Sequence, residues 1–388
     1  MTTDENLPAG SPGSTENRSA SPPRRGAVRR LKEAGPVFVL LLVITFLFGS
    51  SQVSEVLDSA MDLTVPFREP VLRSDVAVVY ISQIDFERSF RAKRPLDPDS
   101  VGALLATLAR FHPRAIAVDL LTYDTVWSRF RQPEGVPIYW ARSAHPCGSK
   151  EAPGIRCTHG QLVTEPVLGG QGAGGAEALV TFTMDDDGIV RRYRRWVETS
   201  EGLRPTFPVV VTGNATREAQ SDRGEYLVDF RTKVRRRSFR MAEVMGQDSF
   251  PLLKGKIVLV GGNFVESGDF HETPIGQLSG VDILANITET EIRGTAVRIP
   301  ERWLVLVVAF IDGLLIVALF VLLDSPVRAG IVSAILIPVL ALAASCLISR
   351  SLALTGYFIP LLLIVLVEEL YHELKSHRDH IIRETVKG

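Results

Sequence analysis

The sequence has almost no net charge. Its 43 lysine and arginine residues nearly balance 44 aspartate and glutamate residues, which leaves a formal charge of −1 over 388 residues. Such a balance is typical neither of a nucleic-acid-binding protein nor of a protein with an acidic tail. Nucleic acid is therefore excluded as an expected partner, and the positions of the charges are more informative than their totals.

Motifs with a catalytic context are also missing. Ser267 lies close in sequence to Asp269 and His271, which raises a hydrolase triad as an alternative, but no nucleophile-elbow pattern surrounds the serine. A Gly-x-Gly-x-x-Gly pattern at 170–175 is followed by AEALVTF, which is typical of a strand, where a dinucleotide site needs a helix. We therefore predict neither catalytic residues nor a cofactor.

The first 35 residues contain few large aliphatic side chains and many serine, proline, glycine and arginine residues. Such a segment is unable to bury a core, so residues 1–35 are predicted to be a disordered tail. Its last part carries a basic cluster, Arg24, Arg25, Arg29, Arg30 and Lys32. By the positive-inside rule, this cluster predicts that the tail stays in the cytoplasm.

A first long hydrophobic run follows the basic cluster. Residues 37–48 are uniformly apolar, and with 49–53 they reach about the 18 residues that a bilayer crossing requires. We predict a transmembrane helix at 36–55. A cleaved signal peptide is the alternative, although no convincing small-x-small cleavage site follows the run. Either interpretation exports the residues that come next.

Three further hydrophobic runs lie near the carboxyl end and predict transmembrane helices at 302–324, 329–348 and 352–368. Their connections are so short that the three helices must be antiparallel neighbours. Four spans in an inner cell membrane place 56–301 outside the cytoplasm and leave 369–388 as a short cytoplasmic tail. Asp312 lies near the middle of the second span, where an ionisable side chain is costly. It forms either a contact between helices or part of a proton or signal relay.

The exported region has the pattern of an α/β domain. Apolar strands are predicted at 76–82, 115–121 and 256–262, and helices at 97–111 and 280–293. A strand, a helix and a strand in succession predict a mostly parallel sheet flanked by helices. Residues 178–197 add an antiparallel hairpin, and 226–230 a further strand. The predicted fold class is thus an α/β extracytoplasmic domain with four α-helical transmembrane segments.

Cysteine is scarce, with three residues in the chain. Cys147 and Cys157 lie in a polar stretch of the exported region, where an oxidising compartment favours a disulfide between them. Two free thiols or part of a metal site are the alternatives, but two cysteines supply only half of a structural zinc shell. We predict the disulfide and no metal.

The order of several segments resembles a known family. These segments are VAVVYISQID, ARFHPRAIAVDLLTYD, MDDDGIVRRY, YLVDFR, LKGKIVLVGG, DFHETPIG and SGVDILANITETEIRG, between residues 76 and 294. Together they resemble the CHASE domain of type 2, the cyclase- and histidine-kinase-associated sensory extracellular domain. The His-Ala-Asn that the family often has in its last helix is replaced here by Leu284, Ala285 and Asn286.

The resemblance implies a membrane topology and a function. Members of the family have one span before the sensory domain and three after it, and they usually continue into a cytoplasmic cyclase or kinase. Only about 20 residues follow the last predicted span here, too few for a catalytic domain. The resemblance therefore implies a sensor without its own output enzyme, whose partner is a separate cytoplasmic kinase or cyclase.

A ligand site is expected at the carboxyl ends of the predicted parallel strands, where loops and helix N-termini converge. Gly261 and Gly262 would let the backbone approach a ligand closely. The polar candidates that follow the strands are Asp85, Asp119, Asn263, Asp269, His271 and Thr273. For each acidic residue the alternative is a capping or turn role toward its own backbone.

Two functions from different classes are compatible with these patterns. The first is a sensor that binds a small molecule or an envelope partner and transmits a conformational change. The second is an assembly or accessory protein that docks another envelope protein. A hydrophobic seam at 367–381 continues the last span and predicts either a short coiled coil, as in a homodimer, or an amphipathic end on the lipid bilayer.

Overall fold

The structure is a computed structural model that describes residues 74–122, 124–146, 162–164, 176–214, 223–230 and 237–299, with single positions between 307 and 332. The predicted tails, the spans 36–55 and 352–368, Cys147, Cys157, Asp312 and the seam at 367–381 lie outside the described residues. The spans 302–324 and 329–348 are described only at single positions. Among the described residues, no helix combines the length and apolar character needed to cross a bilayer.

The chain forms fifteen described strands and five described α-helices. The strands are β1 Val76–Ser82, β2 Ala115–Asp119, β3 Ile138–Pro146, β4 Leu162–Thr164, β5 Ala176–Val180, β6 Thr183–Met184, β7 Val190–Arg194, β8 Trp196–Thr199, β9 Gly202–Pro205, β10 Glu225–Leu227, β11 Arg237–Arg240, β12 Ile257–Asn263, β13 Phe270–Thr273, β14 Gly276–Ser279 and β15 Val297–Arg298. The helices are α1 Gln83–Ser89, α2 Pro98–Arg110, α3 Phe207–Thr212, α4 Met241–Val244 and α5 Gly280–Arg293. Short 3-10 helices lie at Thr125–Arg129, Pro251–Leu253 and Val265–Ser267.

The main sheet is mostly parallel. Its described part has nine strands in the order β11, β1, β12, β2, β3, β4, β8, β9, with β5 also paired to β3. The pairs from β11 to β3, and β3 with β5, are all parallel. The mixed α/β class with a mostly parallel sheet, predicted from the sequence, is therefore confirmed.

Alternate residues of the central strands face two different helical layers. In β1, Ala77, Val79 and Ile81 pack with α1, α2 and α4, whereas Val76 and Val78 pack with α3 and α5. Strands β2 and β12 divide their apolar residues in the same way. Because both faces of the sheet are covered, the central strands are continuous apolar runs rather than alternating ones.

The sequence pattern predicted helix α2 well because its cap, its first turn and its buried face are all marked by local residues. The Asp97 carboxylate caps the helix by accepting a hydrogen bond from the Ser100 amide at 3.0 Å. Pro98 begins the first turn, where a missing N–H costs nothing. Val101, Leu104, Leu105 and Leu108 then fall on one buried face.

Helix α5 lies between two sheets and is buried on almost every side. Val281, Leu284 and Ala285 pack against the main sheet. Ile283 and Ile287 pack instead against a four-stranded sheet of β15, β10, β7 and β6. The sequence predicts an amphipathic helix with the same bounds, but the second sheet covers the face that the pattern leaves to solvent.

The sequence did not predict the strand order, and one of its predicted connections is wrong. Strands β1 and β2 are parallel but not neighbours, because β12 from late in the chain lies between them. The predicted hairpin at 178–197 is wrong in its first half, since Ala176–Val180 joins the main sheet beside β3. Only Thr183–Met184 pairs with the following strand, across the turn in which the Gly188 amide donates to the Asp185 carbonyl.

Gly261 is the point of closest approach between β12 and α5. A Cβ atom added there would lie 2.6 Å from Val281 Cβ. We expect Gly261→Ala to lower the free energy of unfolding of the full-length protein by about 1–3 kcal/mol, measured by urea denaturation in detergent, because α5 has to shift.

Gly102→Ala in α2 is the matched control for this substitution. Its added methyl group contacts only the edge of the Phe130 ring, at 3.3 Å, and alanine favours a helix over glycine by about 1 kcal/mol. We expect its free energy of unfolding to be unchanged or higher. Equal stability losses in both variants would contradict the close helix–strand contact.

Candidate functional site

A cleft of about 760 Å³ lies at the carboxyl ends of β2, β12, β3 and β5. Asp119, at the end of β2, and Gly262, near the end of β12, form part of its wall. Asp269, from the segment that follows β12, and Ser143, from β3, contribute further polar groups. The volume is in the range of small-molecule sites, and the location is the one that ligands of open parallel sheets prefer.

A second cavity of about 650 Å³ lies at the opposite edge, at the amino ends of β3 and β5. It is lined by one continuous stretch, 131–139, together with Ala176. Ligands of open parallel sheets bind at the carboxyl edge, where several connections converge. The first cleft is therefore the candidate site.

The cleft lies where the buried apolar run of the strand ends, as β12 shows. In β12, the buried run Ile257–Val260 leads to Gly261 and Gly262. Gly261 is needed for the contact with α5, whereas Gly262 lines the cleft with its backbone. A Cβ at Gly262 would lie 2.9 Å from the Phe264 ring, which itself stacks on Phe86 at 4.3 Å.

Asp119 is an acidic residue of the cleft whose pKa is strongly shifted. Its side chain is partly exposed, and no described residue forms a hydrogen bond or an ion pair with it. Removal of water from the carboxylate, reinforced by the negative charge of Asp269, raises the pKa of Asp119 to about 8. Two carboxyl groups 150 positions apart in the chain are thus electrostatically coupled at one edge of the sheet.

Asp269 lies at the amino end of α5. Its carboxylate packs so closely on Gly280 that a Cβ there would be 2.0 Å from Asp269 Oδ2. The Gly280 amide donates to the Asp269 carbonyl at 2.9 Å, and a negative charge at a helix amino end is favourable. On its other side, Asp269 Oδ1 lies 2.9 Å from His271 Nε2.

His271 and Ser267 do not form with Asp269 the hydrolase triad that was raised as an alternative. The Ser267 hydroxyl donates to the Phe264 carbonyl at 2.7 Å, away from His271. The His271 ring is held on its other side by the edge of Phe182, with ring centroids 4.8 Å apart. His271 therefore supports Asp269 without lining the cleft itself.

Three other predicted residues have local backbone roles. Asp85 is buried and forms a capping box with Ser82 at the start of α1. The Thr273 hydroxyl donates to the Gly276 carbonyl at 2.5 Å and closes the turn between β13 and β14. Asn263 is exposed, paired across from Ser82. The structure thus brings together Asp119, Gly262 and Asp269 and leaves these three residues outside the cleft lining.

Three polar residues of the cleft were missed by the sequence reasoning. Arg94 follows α1 and donates to the Glu266 carbonyl, Ser143 lies on β3, and Asp124 accepts from the Val126 amide at 3.0 Å. A strand at Ile138–Pro146 was not predicted, so Ser143 had no expected position. Arg94 lies in a connection whose path depends on the tertiary fold and leaves no local signal.

Metal ligation is not indicated by the described part of the chain. Within it, no group of three or more histidine, cysteine, aspartate or glutamate side chains is arranged to hold a metal ion. The lining of the cleft includes two carboxylates, those of Asp119 and Asp269, together with apolar side chains.

The described part of the chain is an α/β domain with a covered, mostly parallel sheet and a cleft at its carboxyl edge, the position that ligands of open parallel sheets prefer. The family model of the CHASE2 domain matches residues 37–324, about three quarters of the chain. The chain belongs to the CHASE2 family of sensory extracellular domains, as the resemblance implied. No curated protein and no solved structure matches the chain. The family is sensory rather than catalytic.

The raised pKa of Asp119 predicts a pH dependence of stability. In the unfolded chain an aspartate titrates near ~3.9, so between about pH 4 and pH 8 the folded protein holds one more proton. The free energy of unfolding therefore falls as the pH rises through this window. We expect Asp119→Asn to remove this pH dependence. The free energy of unfolding of the variant, relative to that of the wild type, should therefore rise by on the order of 1–3 kcal/mol from about pH 5 to about pH 8.5.

Urea denaturation of the full-length protein across this pH range measures the effect. Asp99→Asn, at an exposed position of α2, is the control and should follow the wild-type pH profile. A constant difference in stability between Asp119→Asn and wild type at every pH would contradict the raised pKa.

Proposed function

We propose that the protein is a multi-pass membrane sensor. In this proposal the domain at 56–301 lies outside the cytoplasm, its cleft binds a small molecule or an envelope ligand, and a conformational change reaches a separate cytoplasmic output protein. The observation that carries the proposal is helix α5, which begins at the cleft and whose carboxyl half contacts Ser74 and, through Arg195 and Tyr226, β15.

The amino end of α5 is in contact with the cleft. Gly280 touches the Asp269 carboxylate, and Val281 packs on Gly261 of β12. The Tyr80 hydroxyl, from the sheet, donates to Asp282 at 2.5 Å. A ligand that moves Asp269 would therefore act directly on the first turn of the helix.

The carboxyl half of α5 holds the start of the domain. The Ser74 hydroxyl donates to the buried carboxylate of Glu289 at 2.6 Å, and Arg293 Nε donates to the same group at 2.5 Å. Lys256 also donates to the Ser74 carbonyl. A buried carboxylate without its partners is costly, so Ser74 and α5 are expected to move together. Ser74 is the first described residue after the predicted span 36–55.

The same half of α5 holds the end of the domain. Glu291 accepts hydrogen bonds from the Tyr193 hydroxyl and from Arg195 Nε, the latter at 2.8 Å. The Arg195 guanidinium in turn lies 4.2 Å from the centre of the Tyr226 ring. Tyr226 pairs with Arg298 of β15, the last strand before the predicted span 302–324.

In this proposal α5 transmits the signal, and these contacts support that role. Its 14 residues span about 21 Å, so one rigid element touches the cleft and Ser74, and it reaches β15 through Arg195 and Tyr226. A shift of α5 relative to the sheet would be felt at Ser74 and at β15 together. Such a shift between packed elements is a common form of ligand-driven change.

Two observations support the membrane part of the proposal. The family match begins within the predicted span 36–55 and ends at the last residue of the predicted span 302–324. Several described helical positions of the second span are large apolar residues exposed to solvent: Val307, Phe310, Ile311, Leu314 and Leu322. Exposed apolar side chains at helical spacing are suited to lipid or to partner helices.

A docking function without a small ligand is the second candidate. It is favoured by the apolar side chains of Val265 and Ile84, which are 77% and 48% exposed beside the cleft. The Gln83 side chain accepts from the Val265 amide at 3.0 Å and holds these two segments together. Saturable binding of a small molecule in the cleft would favour the sensor over this alternative.

Cysteine labelling tests the proposed topology. In a variant with its three native cysteines replaced by serine, we expect Glu134→Cys to react with a membrane-impermeant maleimide in intact cells, because Glu134 is exposed on the domain. Gly10→Cys and Gly388→Cys should react only after lysis. Labelling of either tail in intact cells, or protection of position 134, would contradict the proposed arrangement.

Hydrogen exchange tests transmission through α5. Gly280→Ala displaces the Asp269 carboxylate, and we expect faster exchange at 74–77 and 297–299 in the full-length protein in nanodiscs. Ser74→Ala, which loses about 1 kcal/mol of hydrogen-bond stabilisation, should reduce the response at 74–77 when combined with Gly280→Ala. Gly102→Ala is the control. Changes confined to 269–284 would exclude α5 as the transmitting element.

A further inference from the structure

The cleft contains an excess of negative charge without a matching cation. Asp119, Asp124 and Asp269 line it together with a single basic residue, Arg94. Arg94 is exposed and directs a hydrogen bond to the Glu266 carbonyl. Of the three carboxylates, Asp124 caps the 3-10 helix at Thr125–Arg129. This leaves Asp119 and Asp269 as the coupled pair that faces the cavity.

The surroundings of Asp119 provide no compensating group. The other residues that line the cleft from β3, β5 and β12 are uncharged, including Ser143, Val180 and Gly262. His271 lies behind Asp269 and is its partner, and no described residue bonds to Asp119. Two acids that share a partly desolvated site repel each other, and a cation placed between them relieves this repulsion.

The size and walls of the cleft indicate what kind of cation fits. A volume of about 760 Å³ suits an organic molecule rather than a bare ion. Apolar side chains form much of the wall: Leu96, Leu120, Leu121, Val180 and Phe264. A ligand with a charged nitrogen and an apolar body satisfies both features.

We propose that the cleft binds a small organic cation, an amine or a guanidinium compound, whose N–H groups donate to the carboxylates of Asp119 and Asp269. This proposal rests on the proposed function, in which the same cleft is the sensory site. It adds the chemical class of the ligand and the two residues that select it. Charge-assisted hydrogen bonds of this kind are about twice as strong as neutral ones.

Binding of a cation is linked to release of a proton. Asp119, whose pKa is raised to about 8, is protonated at neutral pH in the empty cleft and ionised beside the bound cation. Below about pH 8 the affinity therefore rises with pH, by up to about tenfold per pH unit. Asp269, His271, Arg94 and Asp124 are the charged or titratable groups around Asp119 from the described segments that form this site.

Calorimetry on the full-length protein in nanodiscs tests the proposal. The probes are phenethylamine and agmatine, with 2-phenylethanol as the uncharged counterpart of the first and calcium chloride as the metal arm. We expect saturable binding of at least one amine, none of the alcohol, and stronger binding at about pH 8 than at about pH 6.5. Titrations in two buffers of different ionisation enthalpy should show release of a proton.

Three variants locate the binding. Asp119→Asn and Asp269→Asn should each weaken amine binding at least about tenfold, and Asp119→Asn should also abolish the proton release. Asp99→Asn, on the exposed first turn of α2, is the matched control and should bind like wild type. A cooperative unfolding transition in urea at about pH 6.5 shows that each variant is folded.

Several outcomes would overturn the proposal. These are equal binding of the alcohol, amine binding that both aspartate variants retain, binding of calcium that depends on the same two residues, or no saturable binding of either amine up to about 10 mM. In each case the proposed sensor function still stands if cysteine labelling places position 134 outside the cell. Labelling that places the domain in the cytoplasm would instead reject the proposed function, whatever the calorimetry shows.

Discussion

The burial of helix α5 between two sheets is the constraint on which the rest of the structure depends. A helix covered on one side keeps its polar residues in water, but α5 is covered on both, so each of its polar side chains needs a partner. The Glu289 carboxylate accepts hydrogen bonds from Ser74 and Arg293. The Glu291 carboxylate accepts hydrogen bonds from Tyr193 and Arg195. Arg293 belongs to α5 itself, but Ser74 precedes β1, Tyr193 lies in β7 of the small sheet and Arg195 directly follows β7, so these hydrogen bonds connect distant parts of the chain.

The same burial determines the shape of the cleft. Val281 approaches β12 so closely that only glycine fits at position 261, and β12 then ends at Asn263, directly after Gly262 in the cleft wall. The segment after β12 returns across the end of β2 before α5 begins, which carries Asp269 to Asp119. Close packing of one helix thus places two carboxylates at the same edge of the sheet. The repulsion between them is the chemical feature that most distinguishes this cleft from an ordinary surface groove.

Membership in the CHASE2 family gives this arrangement a biological context. A sensory domain needs a place where a ligand changes the balance of forces and an element that carries the change away. Here Asp269, which repels Asp119, lies against the first turn of a helix whose last turns bind Ser74 and contact Tyr193 of the small sheet. The departure at Leu284 from the family's frequent His-Ala-Asn pattern fits this picture, because Leu284 is fully buried against the main sheet.

The sequence by itself determined the elements whose residues act locally. Strand β1 and helix α5 were predicted with their observed bounds, because apolar runs, caps and Gly294 mark their ends within the chain. Asp85 has the local capping role that was considered as its alternative, whereas the turn role of Thr273 was not predicted. Only the tertiary structure decided that β12 lies between β1 and β2, that Ala176–Val180 leaves its expected hairpin, and that Arg94 and Ser143 join Asp119. The reason is physical. Caps and turns are contacts between residues a few positions apart, whereas the strand order joins residues as far apart as Val76 and Ile257, and the charge around Asp119 comes from Asp269, 150 positions away; no local pattern encodes either contact.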